Sequence, residues 1–201
     1  MVVPVTPSDV EATFRRAGAY LEGHFALASG KHSDRYIEKF QVLQWPRETE
    51  RLCGAIADWA GPLDAESVAG PTTGGIILAH EVARQLGLRA VYAERNEAGP
   101  GRAFRRGFQL RPGERILVVD DILSTGGSVQ ETIDAVRTKG AAVAGIAVLA
   151  DRSGGASFGD LPYLALWQVA MPAFSAAECP LCAAGTALLK PGTTPAIAGS
   201  R

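Results

Sequence analysis

One short segment, residues 115–128, constrains the fold of this chain more than any other. After Arg115 come four apolar residues, several of them β-branched, and then two adjacent carboxylates, Asp120 and Asp121. A run of hydroxyl-bearing and glycine residues and then a helical pattern follow. This order predicts a buried strand, a tight loop and the N-terminus of a helix. Such a loop directs backbone N–H groups and the positive end of the helix dipole toward one point, which suits a phosphate.

The two carboxylates cannot bind the same phosphate, because they would repel it. They suit a neighbouring diol, as hydrogen-bond acceptors, or a divalent cation. A phosphate beside a diol describes a ribose 5-phosphate.

Strands and helices alternate over the rest of the chain. Residues 66–71 begin a second strand–loop–helix unit with glycines and hydroxyls at its turn. The pattern predicts an α/β fold with a doubly wound, largely parallel sheet and helices on both faces. Ligands of such sheets bind beyond the carboxyl ends of the strands, so the loops there should face one another. These loops are 70–75, 94–107, 121–128 and 152–156.

Near the N-terminus, Ser8 and Glu11 match a capping box and predict a helix that ends at about Arg16. Residues 24–37 predict a hairpin outside the main sheet. Further on, residues 94–107 predict a long, mobile loop.

Later segments give weaker signals. Phe108–Leu110 predicts a short strand, because a Pro-Gly turn follows it. The tail from Pro172 is rich in alanine, proline and glycine and predicts no clear element. We expect a single domain over 1–201, with residues 1–45 and the C-terminal tail at its periphery.

Charge and cysteine content narrow the class of protein. The net charge is −1 over 201 residues, so no global basic field favours nucleic acid or a membrane as partner. Six arginines against three glutamates in 91–115 nevertheless suggest a small polyanionic ligand. The chain has three cysteines and neither a membrane-length apolar run nor a leader pattern, which predicts a cytoplasmic protein.

Residues 118–128 resemble the phosphoribosyl pyrophosphate (PRPP) binding motif of the type I phosphoribosyltransferases. Other matches resemble the orotate phosphoribosyltransferases in particular. They are Gly23-His24-Phe25, Leu27, Ser29-Gly30, Ser33, Gly75, Glu81-Val82-Ala83, Glu94-Arg95 and Arg105-Arg106-Gly107-Phe108. The tail with Cys179-Pro180-Leu181-Cys182 and Lys190-Pro191-Gly192 also resembles some bacterial members.

The resemblance implies a set of site residues. PRPP would bind Thr72, Thr73, Arg95, Asp120, Asp121, Ile122, Leu123, Ser124, Thr125, Gly126, Gly127 and Ser128. Of these, Asp120, Asp121 and Arg95 are the implied catalytic residues, with the two aspartates on the ribose hydroxyls. Orotate would bind Ser124, Arg152 and His32 beneath the hairpin. Mg²⁺ would lie between pyrophosphate and ribose, held through PRPP.

The implied reaction transfers ribose 5-phosphate from PRPP to orotate, giving orotidine 5-phosphate and pyrophosphate in pyrimidine synthesis. The implied assembly is a homodimer in which the loop after Arg95 reaches the partner subunit. One alternative is a phosphoribosyltransferase for a purine or another pyrimidine base. Another is a non-catalytic PRPP sensor that binds nucleic acid, which the lack of a basic face disfavours.

The chain departs from the family in that loop. Many members carry lysines and a histidine there, whereas this chain has no lysine between Lys39 and Lys139. Arg102, Arg105 or Arg106 are the candidates to supply the charge, with a different geometry. For Arg105 and Arg106 a solvated strand is an equal alternative.

Cys179 and Cys182 have the spacing of half a zinc site. Because no histidine is near them in sequence, simple packing or a surface thiol pair is the favoured interpretation. A metal site shared between two subunits is the alternative.

Overall fold

A mostly parallel six-stranded sheet forms the centre of the protein. The structure, a computed structural model, describes residues 4–27, 29–97 and 99–191. The helices are α1 (Pro7–Arg16), α2 (Phe40–Leu43), α3 (Pro46–Ala60), α4 (Gly74–Leu86), α5 (Gly127–Thr138) and α6 (Pro180–Ala183), with a 3-10 turn at Gly61–Leu63. The strands are β1 (Tyr20–Ala26), β2 (His32–Ile37), β3 (Ser67–Pro71), β4 (Arg89–Arg95), β5 (Arg102–Phe104), β6 (Arg115–Leu123), β7 (Ala142–Asp151) and β8 (Tyr163–Gln168).

The strand order is β5-β4-β3-β6-β7-β8, and only β5 runs antiparallel to its neighbour. The prediction of a doubly wound, largely parallel sheet is therefore confirmed. Side chains of β6 alternate between the two faces of the sheet. Leu117 and Val119 belong to one apolar core, which includes α1, α3 and α4, while Ile116 and Val118 belong to the other, beneath α5. A central parallel strand needs apolar residues on both faces, which explains its unbroken apolar run.

The predicted hairpin forms a separate two-stranded antiparallel sheet, β1–β2, which we call the hood. The tail, for which no element is predicted, pairs with it. The N–H of Ala26 donates to the Leu189 carbonyl at 2.8 Å, and the N–H of His32 donates to the Phe174 carbonyl at 2.9 Å. These partners are far apart in sequence, so no local pattern could reveal them.

Three local predictions are wrong, and they concern a helix cap, a strand and a loop. Helix α1 is capped by Thr6, not Ser8, because Thr6 and Asp9 form the reciprocal capping box and Pro7 takes the first helical position. The strand predicted at Phe108–Leu110 is absent from the described structure, and β5 forms earlier. Because β5 pairs with β4 through Arg95 and Arg102, most of the predicted long loop is a hairpin.

None of the helices in the described ranges is long and apolar enough to cross a bilayer.

The buried carboxylate of Glu114 connects the amino ends of three central strands, β3, β4 and β6, through hydrogen bonds. The Glu114 side chain is fully buried, and it accepts hydrogen bonds from the Ser67 hydroxyl, from the Arg111 N–H at 2.8 Å and from Arg89 Nη2 at 2.7 Å. Burial alone would raise the pKa of Glu114, but these donors outweigh it and lower the pKa to about 2.

We expect Glu114→Ala to lower the free energy of unfolding by about 2–4 kcal/mol at pH 7, because Arg89 and Ser67 lose their buried partner. Since the folded-state pKa is depressed, the difference from the unmodified protein should shrink as pH falls from about 4.5 toward 2. Denaturant titrations at several pH values measure it. The matched control is Glu97→Ala, whose carboxylate is 78% exposed and should change stability little. Equal effects of both substitutions would contradict the expectation.

Candidate active site

A polar cleft of about 220 Å³ opens at the carboxyl ends of β3 and β6. Its lining residues are Lys39, Thr72, Thr73, Asp120, Asp121, Ile122, Leu123, Ser124, Thr125, Gly126, Gly127, Ser128 and Val129. The structure thus brings together the two glycine- and hydroxyl-containing loops that the sequence places after separate strands, as expected for this edge of a parallel sheet.

One end of the cleft is the start of α5. Gly126 occupies the N-cap position with φ of +82°, a conformation that side chains disfavour, and it has no side chain to cap the helix. The Gly127 N–H makes only a long hydrogen bond of 3.4 Å to Thr125 Oγ1, so the N–H groups of the first helical turn can turn to a ligand. Ser124, Thr125 and Ser128 surround them with hydroxyls. This arrangement fits a phosphate group.

The adjacent carboxylates are almost completely buried, with Asp120 and Asp121 only 7% and 5% exposed. Asp120 Oδ1 accepts a hydrogen bond from the Asp121 N–H at 2.8 Å, and Asp121 Oδ1 accepts one from the Ile122 N–H at 2.6 Å. Burial and then the neighbouring charge of Asp121 raise the pKa of Asp120 to about 7. Burial also raises the pKa of Asp121, and Lys39 partly offsets that rise. The pair therefore favours a ligand that offers hydrogen-bond donors or positive charge.

Lys39 is a site residue that the sequence did not reveal. It follows the hood, and its Nζ lies 3.7 Å from Asp121 Oδ1. No motif surrounds it, and only the topology brings the end of the hood over the carboxyl end of β6.

The 70–75 loop packs tightly against Asp121 and the start of α4 because it contains glycine. A Cβ on Gly70 would lie 2.1 Å from the Gly75 carbonyl oxygen, and one on Gly74 would lie 1.7 Å from Asp121 Oδ2. The Thr72–Thr73 peptide bond between these glycines is cis. The glycines let the start of α4 approach both β3 and the carboxylate pair.

Arg102 does not line the cleft itself but contacts two residues that do, Thr72 and Ser128. Its side chain is 4% exposed, with Nη1 3.0 Å from Thr72 Oγ1 and Nη2 3.3 Å from Ser128 Oγ. Arg105 and Arg106 instead form surface ion pairs with Glu97 and Glu94. Of the three arginines that could replace the loop lysines, Arg102 is therefore the one that contacts both glycine- and hydroxyl-containing loops.

The other predicted residues lie outside the cleft lining. Arg152 donates from Nε to Ser124 Oγ at 2.9 Å, and burial lowers its pKa while the nearby Tyr36 opposes that shift. Arg95 is exposed at the end of β4. The His32 ring, predicted as an orotate contact, instead faces His24 and a cysteine of the tail.

Comparison with known proteins identifies the family. The model of the phosphoribosyl transferase domain matches residues 49–165. The orotate phosphoribosyltransferase of Desulforamulus reducens is 43% identical over 180 residues, covering 90% of this chain and 93% of the relative. The orotate phosphoribosyltransferase of Heliobacterium modesticaldum is 44% identical over 182 residues, covering 90% and 94%.

Solved structures agree. Orotate phosphoribosyltransferase from Aeropyrum pernix superposes with a TM-score of 0.65 at 25% identity, covering 80% of this chain and 93% of that one. The Mycobacterium tuberculosis orotate phosphoribosyltransferase, at 23% identity and a TM-score of 0.68, shares the fold and covers 81% of this chain and 96% of that one. The chain therefore belongs to the phosphoribosyltransferase family and, within it, to the orotate phosphoribosyltransferases.

Proposed function

We propose that this protein transfers ribose 5-phosphate from PRPP to orotate, forming orotidine 5-phosphate and pyrophosphate for pyrimidine synthesis. The observation that carries the proposal is the buried Asp120–Asp121 pair, placed directly before the uncapped N-terminus of α5. A diol acceptor beside a phosphate-binding turn matches one end of PRPP, and the family supplies the reaction.

The cleft can accommodate the charged ends of PRPP separately. The N–H groups and hydroxyls of 124–128 bind the 5-phosphate, while Asp120 and Asp121 accept hydrogen bonds from the ribose hydroxyls. Thr72, Thr73 and Arg102 stand across the cleft, where they would hold the pyrophosphate. Arg95 could join them only if the β4–β5 hairpin moved over the cleft.

Orotate carries a planar carboxylate, which the fork of an arginine can bind through two parallel hydrogen bonds. Arg152 is half-buried and already oriented by Ser124. Tyr36 of the hood lies near it and would cover the base. His32 remains a prediction from the resemblance alone, since its ring nitrogen faces His24.

The polar side-chain atoms that line the cleft suit Mg²⁺ as ligands, because apart from the Lys39 amine they are carboxylate and hydroxyl oxygens. Asp120, Asp121 and the hydroxyls of Thr72 and Thr73 are the residues that would hold Mg²⁺ together with PRPP. When bound, Mg²⁺ neutralises the charge of the pyrophosphate.

Displacement of pyrophosphate from ribose C1 passes through a state with positive charge on the sugar, while the leaving group takes negative charge away. Arg102 and the N–H groups of residues 73–75 would stabilise that leaving charge, most strongly once water is excluded. The attacking ring nitrogen of orotate is anionic or nearly so. Positioning by Arg152 and Ser124 therefore suffices, without a protein base.

We further propose a homodimer of single-domain subunits in the cytoplasm. The family resemblance supports the dimer, with the β4–β5 hairpin reaching toward the partner. An odd number of cysteines agrees with a reducing compartment.

The test is the loss of orotate absorbance with purified protein, PRPP and Mg²⁺, beside a panel of purine and pyrimidine bases. Turnover of orotate alone is expected. Turnover of another base in place of orotate would overturn the substrate, and no turnover at micromolar enzyme would overturn the activity.

Within this assay, Arg152→Ala should raise KM for orotate about 10–100-fold, because a charge-assisted hydrogen-bonded pair is lost. KM for PRPP should change little. Steady-state kinetics with each substrate varied separately measure the split, and Arg137→Ala, on the exposed face of α5, is the control. A rise confined to PRPP would contradict the assignment of Arg152 to the base.

A further inference from the structure

Four potential metal ligands meet between the hood and the tail. They are His24 of β1, His32 of β2, and Cys179 and Cys182 at either end of the first turn of α6, and we call them the hood cluster. One ligand atom from each lies within 4.8 Å of all the others, and three of the four residues are buried. None of them lines the active-site cleft.

The spacing fits a tetrahedral metal site. Bonds of about 2.0–2.3 Å from zinc to nitrogen and sulfur place neighbouring ligand atoms about 3.3–3.8 Å apart. His24 Nε2 lies 3.1 Å from His32 Nδ1 and 3.4 Å from Cys179 Sγ. Cys182 Sγ lies 3.7 Å from His24 Nε2 and 3.2 Å from His32 Nδ1. A zinc ion at the centre requires only small shifts of these side chains.

The hydrogen-bonding pattern also favours a cation. His24 Nδ1 lies 2.8 Å from the Thr186 carbonyl oxygen, which can only accept, so Nδ1 carries the proton and Nε2 presents a lone pair. That one lone pair faces the Nδ1 of His32 and both thiols. The four ligand atoms thus converge on one point, where a shared cation would bind all of them. A backbone carbonyl that fixes the tautomer of a ligating histidine is typical of metal sites.

We propose that the hood cluster binds one Zn²⁺ through His24, His32, Cys179 and Cys182. Binding releases the two thiol protons, so two thiolates balance the charge of the ion. With four protein ligands the site has no open position, which makes it structural. The proposal differs from the sequence-based preference for packing or a surface thiol pair, because the structure brings two histidines to the cysteines. The site lies within one chain and does not need a second subunit.

The site goes beyond the proposed transferase activity. It joins the tail to the hood, which contains Tyr36 and leads directly to Lys39 in the cleft lining. Zinc would therefore hold the hood in place over the site where the base binds.

The test is the metal content of the full-length protein, purified under reducing conditions without chelator and measured by mass spectrometry of the metal. We expect about one zinc per chain, and below about 0.1 in Cys179→Ser and in Cys182→Ser. The control is Cys53→Ala, which removes the third cysteine, buried in α3 away from the cluster, and should keep the metal. Cys182 is exposed, so its substitution should leave the core folded.

Two independent readouts complete the test. X-ray absorption at the zinc edge should show two sulfur and two nitrogen neighbours. A strong chelator should lower Tm by at least ~5 °C in the unmodified protein but should not lower it in Cys182→Ser. Zinc below about 0.1 per chain after incubation with zinc and reductant would overturn the site. A Cys179–Cys182 disulfide in protein from reducing cells, or zinc retained by both serine variants, would overturn it as well.

Discussion

Replacing Asp120 and Asp121 together with asparagine is expected to reduce kcat/KM by about 10³-fold or more while making the folded protein more stable at neutral pH. The activity falls because each carboxylate loses a charge-assisted hydrogen bond to a ribose hydroxyl, a contact of about 1.5–3 kcal/mol apiece. The fold tolerates the change because asparagine keeps the shape and still accepts from the backbone N–H groups of Asp121 and Ile122.

The gain in stability follows from the raised pKa of Asp120. Burial and the charge of Asp121 raise it from an ordinary value of 3.8 to about 7, so the folded state retains a proton that the unfolded state has lost. The free energy of unfolding therefore falls as pH rises between these two values. Asparagine removes that dependence, and the two proteins should differ most above pH 7.

Urea titrations from pH 4 to 8 and steady-state kinetics measure both effects on one preparation. Asp134→Asn is the matched control, since Asp134 is exposed on α5 and far along the helix from the cleft. A double variant that kept full activity would refute the diol assignment. A double variant that was inactive but less stable at pH 8 would refute the proposed strain of the buried pair.

The second large effect is expected at Arg102. Arg102→Met should lower kcat about 10²-fold, because the guanidinium between Thr72 and Ser128 is placed to stabilise the departing pyrophosphate. Methionine retains the apolar stem and the packing of this nearly buried side chain. Arg102→Lys should restore only part of the rate, since an ammonium group cannot reach both hydroxyls at once.

The control for Arg102 is Arg105→Met, which removes an exposed arginine paired with Glu97. Its kcat should stay within about twofold, because an exposed ion pair contributes little. Thermal unfolding of each variant separates lost stability from lost catalysis. Equal losses of kcat in both variants would indicate a general effect of positive charge, and an effect on KM for orotate alone would place Arg102 at the base.

The sequence predicted the sheet and the strand–loop–helix unit around residues 115–128 because both depend on local patterns. A buried parallel strand needs a continuous apolar run, and a phosphate-binding turn needs glycine and hydroxyls at fixed positions. The helix cap was misassigned because Thr6–Asp9 and Ser8–Glu11 both fit the same four-residue pattern, and only the position of Pro7 separates them. The strand at 102–104 was missed because three residues are too few for an alternation to stand out.

Residues joined only by tertiary contacts could not be predicted. Lys39 reaches Asp121 because the hood folds across the sheet edge, and His24 meets Cys179 across a long stretch of chain. Neither pair has a spacing that a sequence pattern could report. The sequence-based interpretation of Cys179 and Cys182 considered histidines near in sequence, whereas the structure brings His24 and His32 to them in space.

The pairing of the hood with the tail also determines when folding of the hood can be completed during synthesis. The Thr186 carbonyl that orients His24 is 162 residues later in the chain, and Leu189 and Phe174 extend the hood at both strands. Domains generally fold as units and amino-terminal segments emerge first, so the hairpin leaves the ribosome long before its partners are made. Until the tail is made, the edges of the hairpin and the side chains of His24 and His32 stay without these partners while the sheet assembles. The hood is thus translated before the tail but completed only after it, and a nascent chain that stalls before the tail would have a formed cleft without the segments that pair with the hood.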